Sequence, residues 1–222
     1  FRSLVYATSG IQLGDQKQAL VAARISKRMR LLGLNDYNAY FDVVQHDKSR
    51  QELVQLIDAI STNVTHFFRE DRHFTVLADL TRTWEQEGHG ALKVWCAACS
   101  TGEEPYTILM TVLNAQKRAT NPAMYASDIS TRVLQSARQG IYRDEDVRTV
   151  PRPMLRRFFQ EGTGQAANLY RVKPEYRKIV DFRQINLSTP PYPVPNGLDV
   201  IFCRNVMIYF NRELRIKLVN QF

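Results

Sequence analysis

The residues best placed to do chemistry lie in VWCAACSTGEEPYTILM, residues 94 to 110, where an apolar strand-like run crosses a small-residue turn and enters an apolar helix through Glu103 and Glu104. Acidic residues in the first helical turn interact favourably with the helix dipole by ~0.3–1 kcal/mol, so helix punctuation accounts for one of the two. The turn holds a single glycine, Gly102, and so departs from the G-x-G-x-x-G loop whose exposed amides cradle a diphosphate. Two carboxylates at that helix start would repel phosphate. They suit instead a ligand with ribose hydroxyls, an ammonium or a sulfonium. Asp128 ends a second strand-like run, AMYASD, 26 residues past Gly102. An acid at this place in an alternating β/α chain commonly accepts from ribose hydroxyls; its other available role is to cap a helix beginning at Ser130.

The remaining reactive side chains form no catalytic or metal grouping. Cys96 and Cys99 are spaced C-x-x-C but lack a second pair to complete a zinc site. His46, His66, His73 and His89 are scattered without ligand spacing. No metal is expected, and no Ser-His-Asp or Cys-His arrangement is evident. Three cysteines make no disulfide framework, which fits a reducing cytoplasm.

The elements that must position Glu104 and Asp128 fall into two sets. Residues 1 to about 80 read as helical, with a first helix over about 16–32 ended by Gly33, two more in NDYNAYFDVVQHD and SRQELVQLIDAIST, and a segment around DRHFTVLADLTRTW. From 81 to 222 strands and helices alternate, predicting a parallel sheet with crossover helices and a binding rim at the strands' carboxyl ends. That rim would carry the loops STGEE, ASDIS, INLS and CRN. Residues 155–178 break the rhythm and read as an inserted β-subdomain containing a short hairpin. A sheet of four parallel strands ending on an unfinished crossover helix suggests that further C-terminal strands are missing.

The net charge of +8 and sequence pI near 9.5 point to an anionic partner. Lys17, Arg24, Lys27, Arg28 and Arg30 follow one another without an acidic residue between Gln16 and Asn35. At 100° per residue Val21, Ile25, Met29 and Leu32 fall on one face, while Lys17, Arg24 and Arg28 fall on another. Taken alone, that face is as readily a solvated surface as a docking surface. No apolar run approaches the ~18 residues that span a bilayer, and no membrane insertion is expected.

An adenosine-containing cation without phosphates is S-adenosylmethionine. The runs STNVTHFFRE, VWCAACSTGEEPY, ASDISTRVLQSARQGIY and IFCRNVMIYF, in that order, closely resemble the CheR family of chemotaxis receptor methyltransferases. The resemblance covers essentially the whole chain. It implies an α/β protein: a small N-terminal helical domain, then a Rossmann-like methyltransferase domain with an inserted β-subdomain. It also implies methyl transfer from S-adenosylmethionine, leaving S-adenosylhomocysteine, to glutamate side chains of methyl-accepting chemotaxis receptors in the cytoplasm of bacteria.

Carried over by matching residues, the resemblance makes Asn63, Thr65 and Arg69 cofactor contacts, with Arg69 also near the reacting centre. Glu104 would hold the cofactor's methionine or sugar portion and Asp128 its ribose, while Asn186 and Leu187 would flank the adenine. Cys203, Arg204 and Asn205 would line the cofactor, and Tyr209 would face the transferred methyl. Arg24, Lys27 and Arg28 would attract the glutamate-rich receptor helices. In some members of the family the small β-subdomain binds a C-terminal receptor peptide by strand addition. A monomer is expected.

The implied chemistry needs no general base, because a glutamate with a reference pKa of ~4.3 is already ionised at neutral pH. Two other readings stay open: a signalling module that binds S-adenosylmethionine without turnover, and a nucleic-acid methyltransferase. The second rests on the pI and on Thr189-Pro190-Pro191-Tyr192, which resembles the (D/N/S)-P-P-Y signature of amino-group DNA methyltransferases. That tetrapeptide precedes the fourth strand rather than following it, and a proline-rich turn explains it better. No nucleic-acid partner is expected.

Overall fold

A computed structural model describes residues 1–14, 18–61 and 63–222. The helical N-terminal part holds α1 (Arg2–Ser9), α2 (Gln18–Leu31), α3 (Tyr37–His46) and α4 (Gln51–Ile60). Helix α1, which the sequence did not single out, stops where Gly10 adopts a left-handed conformation with φ 71°. Asp36 caps α3, its carboxylate accepting from the amide of Ala39 at 2.9 Å. Val5, Ile25, Met29, Tyr40, Val44, Leu56 and Ile60 interlock as this part's core.

The cationic face of α2 turns inward at two of its three docking candidates. The Arg24 guanidinium donates to the carbonyls of Ile60 and Ser61 at 2.8 and 3.1 Å, satisfying groups left over at the end of α4. Arg28 forms a two-pronged pair with Glu52 at 2.8 and 2.6 Å, and the Tyr40 hydroxyl donates to the same carboxylate. Arg24 and Arg28 therefore brace α2 against α4 rather than waiting for a partner, whereas Lys27 and Arg30 are exposed. Lys17 lies outside the described residues.

Helix α5 (Arg72–Gln86) differs from expectation in its allegiance. Phe74 and Leu77 on α5, with Phe67 before it, are buried among Val94, Leu109 and Phe202, in the core of the sheet domain. The change of core thus falls between α4 and Asn63, not near residue 80.

Four parallel strands then form the main sheet in the order β6-β2-β1-β7: β1 (Lys93–Ala97), β2 (Ala123–Asp128), β6 (Val180–Gln184) and β7 (Val200–Phe202). Lys93 pairs with Ala123 and Ala97 with Ser127, while Val94 pairs with Val200 on the other side. After Lys93 every residue of β1 is buried, as a central parallel strand covered on both faces must be. The crossover helices α6 (Glu103–Ala115) and α7 (Thr131–Gln139) follow β1 and β2, and α10 (Arg212–Gln221) follows β7. Chain order leaves β1 in one direction to β2 and reaches β7 on its other side, so a crevice opens at the carboxyl ends there.

The smaller sheet is antiparallel, in the order β3-β5-β4, from β3 (Ile141–Arg143), β4 (Phe159–Glu161) and β5 (Leu169–Val172). Short helices α8 (Arg152–Phe158) and α9 (Pro174–Arg177) flank its last two strands. The hairpin expected in the insertion is the β4/β5 pair. The sheet also recruits Ile141 and Tyr142, because Gly140 ends α7 with φ 58° and frees them to pair with Arg171 and Tyr170. The subdomain therefore begins earlier than residue 155. No described helix is long and apolar enough to cross a membrane.

Candidate active site at the carboxyl rim of the parallel sheet

The loop after β1 is built from unusual backbone. Ala98 and Ser100 take positive φ of 73° and 49°, and Gly102 takes 102° before α6 begins. The amides of Ala98 and Cys99 both donate to the Ser127 carbonyl at 2.8 Å, tying this loop to the end of β2. Asp128 completes the staple: one carboxylate oxygen accepts from the Ser100 amide at 2.9 Å, the other from the Ser130 amide at 3.0 Å. The cap of α7 is the Ser130 hydroxyl rather than Asp128, which braces the Ser130 amide and lines the cleft beside it. Burial pushes the Asp128 pKa up, and the amides that bond it oppose that shift.

The adjacent carboxylates at the start of α6 part ways. Glu103 is turned into the protein, accepting from the Thr101 hydroxyl at 2.7 Å in the first turn of α6. Glu104 lines the cleft, accepting from Arg204 at 2.8 Å and from the Cys96 thiol at 3.4 Å. Burial raises its pKa, and the Arg204 guanidinium pulls it back. Tight packing explains the lone glycine: a Cβ on Gly102 would sit 2.8 Å from the Tyr142 hydroxyl and 3.0 Å from Ala137 Cα.

The segment 63–70 enters from the other side. Phe67 is fully buried, its ring edge-on to Tyr142 at 4.8 Å, and its carbonyl accepts from Thr149. Phe68 and Glu70 both have positive φ, which throws Arg69 toward the rim. Arg69 Nη1 donates to the Val64 carbonyl at 2.9 Å, and Arg204 Nη2 holds the Arg69 carbonyl at 2.6 Å. Asn63, Thr65 and Arg69 all line the cleft. The Asn63 amide nitrogen is buried there with no partner among the described residues. A buried donor left bare costs about 1–3 kcal/mol, so it marks a place for a ligand acceptor.

Past β6, Asn186 and Leu187 also line the cleft. Asn186 does more than was expected of it: its amide nitrogen donates to the Thr8 carbonyl at 2.6 Å and its oxygen accepts from Ser188, so it latches α1 to the rim. After β7, Arg204, Asn205 and Tyr209 line the cleft, whereas Cys203 does not. Cys203 packs in the apolar cluster with Trp95 and Phe210, and burial pushes its thiol pKa up to about 12. Tyr192 of the PPY tripeptide donates to the Leu187 carbonyl and its ring lies 5.4 Å from Trp95, which is the work of a turn tie.

The cleft is partly enclosed and stays open to solvent. Its N-terminal wall was invisible in the sequence: Ser9, Ile11, Gln12, Leu13, Leu20 and Val21 close it from the helical part. Contacts nearly two hundred residues apart carry no local signal, and an apolar residue on a short helix reads only as core. Five of the seven non-glycine residues with positive φ among the described residues, Phe68, Glu70, Ala98, Ser100 and Asn205, cluster at this rim. Strained backbone gathered in one place is a feature of functional sites.

An acidic, amide-lined cleft over a parallel sheet has a counterpart in known proteins. The sequence model of the CheR methyltransferase S-adenosylmethionine-binding domain matches residues 63–222, and that of the CheR all-alpha domain matches 1–61. The chain belongs to the CheR methyltransferase family. Chemotaxis protein methyltransferase 2 of Pseudomonas aeruginosa is 44% identical over 221 residues, which is 99% of this chain and 78% of that relative. The chemotaxis protein methyltransferases of Escherichia coli and Salmonella typhimurium are 42% and 41% identical, again over 99% of this chain and over 76% and 75% of theirs. This CheR chain is a chemotaxis methyltransferase that uses S-adenosylmethionine. The residues of the cleft fit that cofactor: buried carboxylates for a cation and hydroxyls, a bare amide donor at Asn63, and no glycine-rich phosphate cradle.

Proposed function

We propose that this CheR chain forms methyl esters on glutamate side chains of chemoreceptors, with the roles of the cleft residues as follows. Asp128 accepts from the ribose hydroxyls through lone pairs its two backbone amides leave free. Glu104 and the Asn63 amide hold the amino-acid portion. Leu187 and Asn186 flank the adenine, and the strap at Ile11 and Leu13 covers it from water. The cofactor supplies an electrophilic methyl on a positively charged sulfur, open to in-line displacement. Arg69 and Asn205 then orient the attacking carboxylate, with Arg204 fixing Arg69 through its carbonyl. Tyr209 stands at the mouth to exclude water and pack against the transferred group.

A glutamate nucleophile needs alignment and desolvation but no proton removed. The supporting observation is that Arg69, Arg204 and Asn205 stand together at the mouth of an otherwise acidic cleft. A base would have no task there, and carboxylate-binding donors do. The receptor-docking role of α2 falls to exposed Lys27 and Arg30, since Arg24 and Arg28 are engaged with α4.

Tritiated S-adenosylmethionine incubated with receptor membranes, with oligonucleotides and with no acceptor tests the reading. Base-labile label on the receptor alone is expected, and Arg69→Ala should abolish it while the variant keeps its melting temperature and binds cofactor. Label on oligonucleotides, or full turnover by Arg69→Ala, would overturn the assignment.

A further inference from the structure

Glu70 follows Arg69 directly and is turned back on it by the left-handed conformation at φ 55°. Its carboxylate is 49% exposed, yet donors converge on it from two separate parts of the chain, residues 69–73 and 204–205. The Asn205 amide donates at 3.3 Å, Arg204 Nη2 lies 3.4 Å away, Arg69 Nε 3.8 Å, and His73 Nδ1 3.7 Å. Asn205, Arg204 and Arg69 are cleft-lining residues, whereas Glu70 itself does not line the cleft. It stands at the outer rim, between those donors and solvent. Bonds from Asn205 and Arg204 hold its pKa below the usual carboxylate range, so it is ionised at neutral pH.

A half-exposed carboxylate gains little stability from such pairs, because solvent screens them. The αL conformation it requires disfavours an L-residue by about 1–2 kcal/mol. A purely structural brace would more economically be buried or absent. What the arrangement does supply is a glutamate carboxylate, on a three-atom tether, offered to the donors that would orient a glutamate substrate.

We propose that Glu70 is an internal stand-in for the substrate carboxylate: it holds Arg69 and Asn205 in their acceptor-binding arrangement and is displaced when a receptor glutamate docks. This rests on the glutamate-methylation reading above. The stand-in occupies the donors while no substrate is bound. It also makes acceptor binding an exchange of one carboxylate for another, so a peptide that docks elsewhere as well is favoured over a free carboxylate. A stand-in engaged about nine-tenths of the time weakens apparent acceptor affinity about tenfold.

The test uses Glu70→Ala and Glu70→Gln in the full chain, read two ways. Chemical-shift titration with N-acetylglutamate α-amide should show about tenfold tighter binding to Glu70→Ala than to wild type, with Glu70→Gln between. In receptor methylation, Glu70→Ala should lower KM for receptor about tenfold, with kcat and the calorimetric cofactor affinity within about twofold of wild type. A merely bracing Glu70 predicts the opposite pattern, a raised KM together with weakened cofactor binding. That pattern, or equal or absent binding of the glutamate probe to wild type and Glu70→Ala, would overturn the proposal. Failure of the underlying reading is separable, since it appears as no base-labile receptor label with the wild-type protein.

Discussion

Replacing Arg204 with methionine removes the guanidinium while keeping most of the side chain's reach over Phe74, whose ring centroid lies 5.4 Å below it. The change strands Glu104, since the two side chains are 11% and 12% exposed and meet at 2.8 Å. Removing one partner of a buried pair costs about 3–5 kcal/mol, and the lower end applies because both groups touch the solvent of the cleft. A loss of about 3 kcal/mol in a chain of this size lowers the melting temperature by about 6–12 °C. The loss should depend on pH. Burial already raises the Glu104 pKa, and losing Arg204 removes the largest opposing influence, so the penalty should shrink as pH falls and the carboxyl takes up its proton. Adding Glu104→Gln to Arg204→Met should therefore recover at least half of the loss at neutral pH. Glu104→Gln alone should cost less, because Arg204 keeps the Arg69 carbonyl and Glu70. Urea unfolding of the four proteins at two pH values gives the double-mutant cycle. A coupling energy below about 1 kcal/mol, with the same loss at both pH values, would refute the claim that a buried ion pair organises this rim.

Two further outcomes follow from the same geometry. Glu104 and Asp128 have folded pKa values raised above the unfolded carboxylate range of about 4, so the native state binds more protons across that window. Their contribution to stability is present below the unfolded value and is lost as pH rises through the folded ones. A cationic ligand favours the ionised forms, so the rise in melting temperature produced by S-adenosylmethionine should widen as pH rises above the unfolded carboxylate value of about 4; a constant rise would mean that both are ionised throughout. Gly102→Ala should cost about 2–4 kcal/mol in urea unfolding, from a φ of 102° and a Cβ pressed on Tyr142 and Ala137; a cost under about 1 kcal/mol would show that the turn yields.

The sheet's elements were legible because their signals are local. AMYASD reads as a strand and is one over Ala123–Asp128, and the acid at its end stands on the rim where the alternation of strands and helices places it. The split between Glu103 and Glu104 was visible only as a surplus carboxylate, since one residue of helical rotation decides which of them faces the cleft. The errors share one cause. Helix α5 and the cationic face of α2 carry correct periodicity, but periodicity does not name the surface that an element packs against. So α5 was placed with the helices before it, and Arg24 and Arg28 were read as outward-facing although Glu52 and the end of α4 lie 24 to 37 residues downstream. Cys203 failed in the same way, since position on the strand end alone did not say that its thiol turns to Trp95 and Phe210.

Those long-range contacts bear on how the two parts of the chain cooperate. The helical part is tied to the walls of the cleft in three places: Asn186 holds the Thr8 carbonyl, the Gln12 amide donates to the Tyr209 carbonyl, and within the helical part Arg24 holds the carbonyls of the cleft-lining Ile60 and Ser61 just before Asn63. Each joins a residue of the N-terminal part to a segment that lines the cleft. None depends on a side chain of the N-terminal part that binds cofactor directly. The same helices that offer Lys27 and Arg30 to solvent therefore also fix the walls at Asn63, Asn186 and Tyr209. Were a receptor helix to dock on the exposed face of α2, it would press on a body tied to the cleft by two side-chain donors, Asn186 and Arg24, and one backbone pair, Gln12 to Tyr209.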